Sequence, residues 1–296
     1  MLSLIICARQ ADIPDVLKEN IRQTIGASYE LIVIDNSAGR LNIFQAYNEG
    51  VRRSTYPLLL FMHDDIIYHT PDWGKLLISH FNNAGIGAAG IAGTPYLPVS
   101  PGGWWSTGIG YLYLLQSESA GKPASLQNYS CPVLNNREVV ALDGVWFCIR
   151  RTLFEHIRFD DETYKGFHFY DIDTTLQVFK AGYKLLSIND ILIHHTSAGR
   201  LNDSWVENLS LFRQKWAHEL PVSCIRLSAK QRRLIEYRVI NTFISDQLKI
   251  FGDTKKNRRK AYLQAIRHIM ACRDFRSSVK TPFWIARFFY SFLKNL

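Results

Sequence analysis

What the chain lacks narrows the reading first. No apolar run among its 296 residues approaches the roughly 20 residues of a membrane-spanning helix, so no transmembrane segment is expected. The N-terminus, Met1-Leu2-Ser3-Leu4-Ile5-Ile6, has neither a positive leader nor a cleavage site and does not read as a secretory signal. Cysteine is scarce: Cys7, Cys131, Cys148, Cys224 and Cys272 are odd in number, scattered, and include no CxxC pair. Neither a disulfide framework nor a cysteine zinc site follows, and a reducing cytoplasm is the expected compartment. The first apolar run is not followed by a glycine-rich phosphate loop. Ala8-Arg9-Gln10-Ala11 carries neither the dinucleotide fingerprint nor the P-loop pattern, which disfavours both enzyme classes. Any phosphate bound here needs a metal or basic side chains to carry its charge.

What is present suits one large α/β domain, or a main domain with an appendage: 47% of residues are hydrophobic and 21% charged. The net charge of +9 is unevenly spread. Residues 226–296 hold 17 of the 35 basic and 4 of the 26 acidic residues, a net of +13. The first 225 residues keep the other 18 basic and 22 acidic ones, a net of −4. A mildly acidic body therefore precedes a basic tail, and we read residues 1–225 and 226–296 as two domains. Such asymmetry points the tail toward an anionic surface or a nucleic acid.

Along the body, Leu2–Ala8 is a continuous apolar run of the kind found in buried strands. Asp12-Ile13-Pro14-Asp15 then opens a helix, since proline and acids suit its first turn. Glu30–Asp35 is a second strand ending in Asp35-Asn36-Ser37. A helical stretch around Ala46-Tyr47-Asn48-Glu49-Gly50 follows, and Pro57–Met62 is a third strand running into His63-Asp64-Asp65. This β-α-β-α-β order predicts right-handed crossovers and a mostly parallel open sheet, with ligands bound beyond the strands' carboxyl ends.

Four polar clusters carry candidate chemistry. Asp35-Asn36-Ser37 offers short acceptors to a base or ribose, or simply closes the strand as an Asx turn. Adjacent carboxylates at His63-Asp64-Asp65, at the mouth of an apolar strand, are costly unless a cation binds them; a capped strand end is the plainer alternative. In Tyr170-Asp171-Ile172-Asp173 the acids fall in a helix's first turn, either as N-terminal caps or, for Asp171, as a general base. Ile191-Leu192-Ile193-His194-His195-Thr196 ends a strand in two histidines, structural or completing a metal site.

In this order the segments resemble the inverting, metal-dependent nucleotide-sugar glycosyltransferases of family 2, on the GT-A fold, over roughly residues 1–200. Ile34-Asp35-Asn36-Ser37 is similar to the family's Val-Asp-Asp-Gly-Ser segment, and Ala46-Tyr47-Asn48-Glu49-Gly50 to its Ala-x-Asn-x-Gly stretch. Leu60-Phe61-Met62-His63-Asp64-Asp65 stands where the Asp-x-Asp motif falls, with His63 replacing the first Asp. Asp143-Gly144-Val145-Trp146-Phe147-Cys148-Ile149-Arg150-Arg151 resembles the acceptor-side strand. Tyr170-Asp171-Ile172-Asp173 resembles Glu-Asp-x-Asp, with Tyr170 replacing the Glu. One of His194 and His195 matches a late histidine used on the metal.

The resemblance implies a GT-A, Rossmann-like sheet with a C-terminal helical appendage, and transfer of a sugar from a nucleoside diphosphate, most often uridine diphosphate. Asp35, Asn36, Ala8 and Arg9 are expected to hold the nucleoside. Asn48, His63, Asp64 and Arg200 are expected on the nucleotide-sugar side. Asp65 with His194 or His195 is expected to bind Mn²⁺ or Mg²⁺. Asp171 is the expected base, with Gly144, Tyr170, Asp173, Trp104 and Trp105 on the acceptor side. The two tryptophans equally suit a loop that fills its own small core, and Trp146 and Trp205 read as core. The two departures at His63 and Tyr170 also fit a binding protein without activity, and a nucleotidyltransferase is a further alternative.

From Leu227 the chain reads as helices, with a basic cluster at Lys255-Lys256-Asn257-Arg258-Arg259-Lys260 and an aromatic end at Pro282–Lys294. Basic and aromatic residues together fit a peripheral element on an anionic membrane, near a glycan or lipid-linked acceptor. Docking on the body or on a second subunit, as a homodimer, fits as well. No nucleic-acid motif supports a nucleic-acid partner.

Overall fold

The computed structural model describes residues 1–129, 136–197, 199 and 201–271. Arg200, Cys131, Cys272 and the aromatic end at Pro282–Lys294 therefore lie outside the described residues. The chain forms two compact units: Met1–Gly93 with Tyr111–Arg200, and Thr94–Gly110 with the chain from Leu201 onward.

The first unit opens with β1 (Leu2–Ala8), almost wholly buried, and α1 (Asp15–Thr24), entered through Pro14 with Asp15 in its first turn. After β2 (Tyr29–Asp35), α2 (Ile43–Arg53) is started by a capping box. There the Asn42 side chain accepts from the Gln45 N–H, and the Gln45 side chain accepts from the Asn42 N–H. β3 (Leu58–Met62) is buried throughout and leads through His63-Asp64-Asp65 into β4 (Ile66–Tyr68) and α3 (Trp73–His80). Next come β5 (Ile86–Gly90) and β6 (Ala92–Thr94); β7 (Tyr96–Leu97) belongs to the second unit. The chain returns as β8 (Tyr111–Gln116), β9 (Ser125–Tyr129), β10 (Arg137–Val139), β11 (Ala141–Leu142) and β12 (Trp146–Arg150). α4 (Tyr170–Lys180), β13 (Lys184–Ser187) and β14 (Ile193–His195) complete it.

The central sheet has seven strands in the order β10-β13-β5-β12-β3-β1-β2. β1 pairs parallel with β2 and β3, and β13 with β5. β12, however, runs antiparallel to both β3 and β5, and β10 antiparallel to β13. The second sheet, β11-β6-β8-β14-β4, is mixed as well. The expectation of a mostly parallel sheet is thus corrected: the fold is α/β, but its sheets are mixed. The physical reason is plain. A strand buried on both faces, such as Trp146-Phe147-Cys148-Ile149, is apolar throughout, and its composition does not encode direction.

The core of this unit packs β1, β3 and β12 against α1 and α3, with Trp73 and Trp146 fully enclosed. Trp146 donates its indole N–H to the Tyr68 hydroxyl at 2.8 Å, and the Tyr68 ring stacks on Trp73 at 4.0 Å between centroids. These pairings anchor β4 and the loop before it, which carries the acids.

In the second unit, β7 pairs antiparallel with β15 (Val222–Ser223), beside α5 (Asp203–Lys215), α6 (Ala229–Phe251) and α7 (Lys255–Ala271). α6 begins in a capping box between Ser228 and Gln231. Its buried face carries Ile235 and Val239 against Tyr96. Glu236 lies on the same helix, buried, and accepts from the Tyr96 hydroxyl (2.6 Å) and the Val99 and Ser100 N–H groups (2.9 and 2.7 Å). Among the described residues no helix is long and apolar enough to cross a membrane.

Candidate active site

Strand pairing brings the polar clusters together in the first unit. β14 lies between β4 and β8, with His195 opposite Ile66 on one side and Gln116 on the other. Both the N–H and the hydroxyl of Thr196 donate to the Asp65 carbonyl at 3.0 Å, which holds the His63-Asp64-Asp65 segment to the end of β14. Side chains alternate across a strand, so the two adjacent histidines point to opposite faces. His195 reaches the acids. His194 turns away, to the Ser117 hydroxyl at 2.5 Å and the His69 ring.

One ligand atom from each of His63, Asp65 and His195 lies within 4.8 Å of the other two. His195 Nε2 stands 3.4 Å from Asp65 Oδ1 and 3.3 Å from His63 Nδ1. His63 Nδ1 is 3.8 Å from the same carboxylate oxygen. That oxygen is buried and makes no hydrogen bond of good geometry. Burial opposes the charge on Asp65, but hydrogen bonding from His195 and Ser197 and the neighbouring histidines hold its carboxyl well below the usual range. Burial and the facing His195 push the His63 imidazole down. Two imidazoles and a carboxylate with an orphaned oxygen are a donor set that fits a divalent cation.

Tyr170, first residue of α4, joins this cluster to the base candidate. Its buried hydroxyl touches His63 Nε2 at 3.2 Å and donates to the Gly144 carbonyl at 3.1 Å. Gly144 has no room for a side chain: a Cβ there would stand 2.2 Å from the Tyr170 hydroxyl. The residue before the helix, Phe169, takes a left-handed φ of 72°, which is strained for an aromatic residue and turns the helix start toward this edge. In the first turn, the backbone N–H groups of Ile172, Asp171 itself and Gly144 favour the charged form of Asp171. Burial, reinforced by the charge of Asp143, nonetheless pushes its carboxyl up to about 7. A carboxyl in that range can accept a proton near neutral pH.

The remaining candidates fall at varied places. Arg9 donates to Asp64 at 2.8 Å and approaches Asp65 at 3.5 Å, so the acids also meet a largely exposed cation. Ala8 ends β1 with its carbonyl accepting from the Asn36 N–H. The Asn36 side chain is engaged with both backbone groups of Leu41, and Asp35 closes an Asx turn onto the Ser37 N–H. Asn48 clamps the backbone of Phe159 through both ends of its amide. Asp173 is fully buried, accepting from the Tyr164 hydroxyl and the Gln177 amide, and is not brought to the edge where Asp171 sits. Trp104 and Trp105 belong to the second unit, in a short 3-10 turn where Trp105 packs against Trp104 and Trp205.

Residues 4–215 match the sequence profile of a glycosyltransferase-like family. The chain belongs to that glycosyltransferase-like family. A curated relative, the uncharacterized protein y4gI of Sinorhizobium fredii, is 24% identical over 260 residues. That alignment takes in 73% of this chain but only 26% of y4gI, so the chain spans about a quarter of the relative's length. Among solved structures, the mannosyltransferase PcManGT of Pyrobaculum calidifontis, in complex with GDP-Man and Mn²⁺, is similar at 11% identity and a TM-score of 0.44. The likeness covers 98% of this chain and 79% of that one. S. aureus TarS 1–349 is similar at 11% identity and a TM-score of 0.48, over 90% and 80% of the two chains. At these TM-scores neither likeness assigns a substrate to this chain.

Sequence reasoning placed His63 on the nucleotide side and did not include Gln116. The first became visible as a candidate ligand only through its distance to His195. The second follows from strand register alone, since nothing in Leu114-Leu115-Gln116-Ser117 marks a glutamine that meets a histidine 79 residues later.

Proposed function

We propose that the chain transfers a sugar from a nucleoside-diphosphate sugar, UDP-linked in the first instance, to an acceptor hydroxyl with inversion at the anomeric carbon. The acceptor is a glycan or a lipid-linked saccharide. One observation carries this reading: a continuous path of contacts, Asp65–His195–His63–Tyr170–Gly144–Asp171, ties a cation-type donor set to a carboxyl titrating near neutrality. Asp65, His195 and His63 would hold Mn²⁺ or Mg²⁺. A divalent cation there supplies positive charge to the diphosphate as it leaves.

The protein's own groups do the rest. Asp171 takes the proton from the acceptor hydroxyl as its oxygen attacks. The Gly144 N–H and the helix N-terminus orient the carboxylate, and burial keeps it basic enough to accept. Arg9 offers a second cation beside Asp64 and Asp65, and Asp35 and Asp64 face the nucleoside side. Single displacement on the face opposite the diphosphate inverts the stereochemistry.

The test is release of nucleoside diphosphate from a panel of donor sugars with Mn²⁺. Release by wild type, lost in Asp65→Ala, supports the reading; tight donor binding with neither hydrolysis nor transfer across the panel favours the binding-only alternative. A thermal-shift screen of nucleoside diphosphates with Mn²⁺ identifies the nucleotide.

In the same proposal, residues 1–225 are the catalytic domain and the basic region 226–296 lies on an anionic membrane surface. Exposed Leu234 sits among exposed Lys230, Arg232 and Arg233, and exposed Leu263 beside Arg259 and Lys260, which supports this. Salt-sensitive co-sedimentation with anionic vesicles is expected. No binding at low salt, with a dimer in solution, would give that face to a second subunit.

A further inference from the structure

Hydrogen-bond arithmetic around the two histidines decides where their protons sit. The Gln116 amide nitrogen lies within reach of three carbonyl oxygens, of Ser117 (2.8 Å), Ser197 (2.6 Å) and His195 itself (3.3 Å). Carbonyls only accept, so the NH₂ end of the amide faces them and its Oε1 faces His195 Nδ1 at 3.1 Å. An amide oxygen only accepts as well. His195 therefore carries a proton on Nδ1, and Nε2 is the ring atom turned toward Asp65 and His63.

The same count fixes the other ring. The Tyr170 hydroxyl has one hydrogen; besides the Tyr47 side chain, its neighbours are the Gly144 carbonyl and His63 Nε2. Giving that hydrogen to the carbonyl satisfies both contacts, because His63 can then donate from Nε2 to the phenol oxygen. Giving it to His63 would leave two oxygens facing each other at 3.1 Å with no hydrogen between them. His63 thus carries a proton on Nε2, and its Nδ1 faces His195 Nε2 at 3.3 Å. Three possible ligand atoms, His63 Nδ1, His195 Nε2 and the orphaned Asp65 Oδ1, converge on one space.

We propose that Gln116 and Tyr170 are positioning residues that hold a proton on His195 Nδ1 and on His63 Nε2, so that His195 Nε2 and His63 Nδ1 are the ring atoms turned, with Asp65 Oδ1, to a divalent cation. This rests on the metal reading above and extends it to two residues that do not touch the metal. Outer partners of this kind set ring orientation and ligand basicity, and their loss typically weakens metal binding by about 10- to 100-fold.

The first experiment uses the wild-type chain without metal. Long-range ¹H–¹⁵N spectra of the imidazoles, assigned with His195→Asn and His63→Asn, are expected to show an Nδ1–H ring for His195 and an Nε2–H ring for His63. A His195 ring with no proton on Nδ1, or a His63 ring with none on Nε2, overturns the proposal without depending on any variant of Gln116 or Tyr170. The second experiment titrates Mn²⁺ into the metal-free chain and follows the free ion by electron paramagnetic resonance. Gln116→Leu is expected to weaken binding about 10-fold or more, and Tyr170→Phe, which keeps the ring and its packing, by a smaller factor. Unchanged Mn²⁺ affinity in both folded variants overturns the positioning role while leaving the metal reading intact. Wild type that binds no Mn²⁺ yet shows the stated tautomers overturns the metal reading alone.

Discussion

Each of the two units buries an ionisable carboxylate against aromatic and backbone neighbours, and the two are solved in opposite ways. In the second unit Glu236 accepts three hydrogen bonds, from Tyr96, Val99 and Ser100, and both of its oxygens are used. In the first unit Asp65 leaves Oδ1 without a good hydrogen bond, facing one ring nitrogen of each of His63 and His195. A satisfied carboxylate contributes to the fold, because removing it strands buried donors. An orphaned one costs stability unless something else arrives. Asp173, filled by Tyr164 and Gln177, falls with Glu236 on the structural side.

The contrast can be broken by substitution. The largest effect is expected at the base: Asp171→Asn should slow transfer by about 10²- to 10⁴-fold while donor affinity, by calorimetry, stays within a few-fold. Unchanged transfer would take the base role from Asp171. Asp65→Ala should abolish Mn²⁺ binding with less than about 1 kcal/mol change in metal-free stability, measured by urea unfolding. Glu236→Ala should do the reverse. It should cost about 2–4 kcal/mol, since three buried donors lose their acceptor, and leave Mn²⁺ affinity unchanged. If Glu236→Ala weakened Mn²⁺ binding while Asp65→Ala cost as much stability, the division of labour would be reversed.

A subtler effect concerns pH. Asp171 acts as a base only when ionised, and its carboxyl titrates at about 7. The rate at low donor concentration is therefore expected to climb as pH rises through about 7 and to fall away on the acid side. Part of that elevation comes from the charge of Asp143, so Asp143→Asn should move the inflection to lower pH; an inflection that does not move would remove Asp143 as a cause. The smallest effect is expected at His194→Ala, which should leave Mn²⁺ affinity within about two-fold. His195→Ala should abolish binding, so the adjacent histidines form an internal control for strand alternation.

Much of the fold was legible in the sequence. Leu2–Ala8, Glu30–Asp35 and Pro57–Met62 became β1, β2 and β3, and the helix expected from Asp171 begins at Tyr170, with Gly182 beyond its end at a φ of 91°. Continuous apolar runs and capping residues carry that information locally. Direction was not legible: β12 enters antiparallel between β3 and β5, and its residues would read the same the other way. Several polar residues marked for the site serve the framework instead of an open edge, as Asn36 does on Leu41 and Asn48 on Phe159. Their residue types suit both tasks, and only their partners distinguish them.

Composition and local pattern by themselves determined the residue types available at the strand ends: two acids and a histidine after β3, two histidines on β14, and an acid in the first turn of α4. They determined the charge division too, a body at −4 and a tail at +13. Tertiary structure decided which of these residues meet. It chose His195 over His194 through the pleat, brought in His63 through the pairing of β14 with β4, and set Gln116 and Tyr170 against the outer nitrogens of the two rings. The physical reason is that strand periodicity and capping act over a few neighbouring residues, whereas a ligand set depends on register between strands more than 100 residues apart.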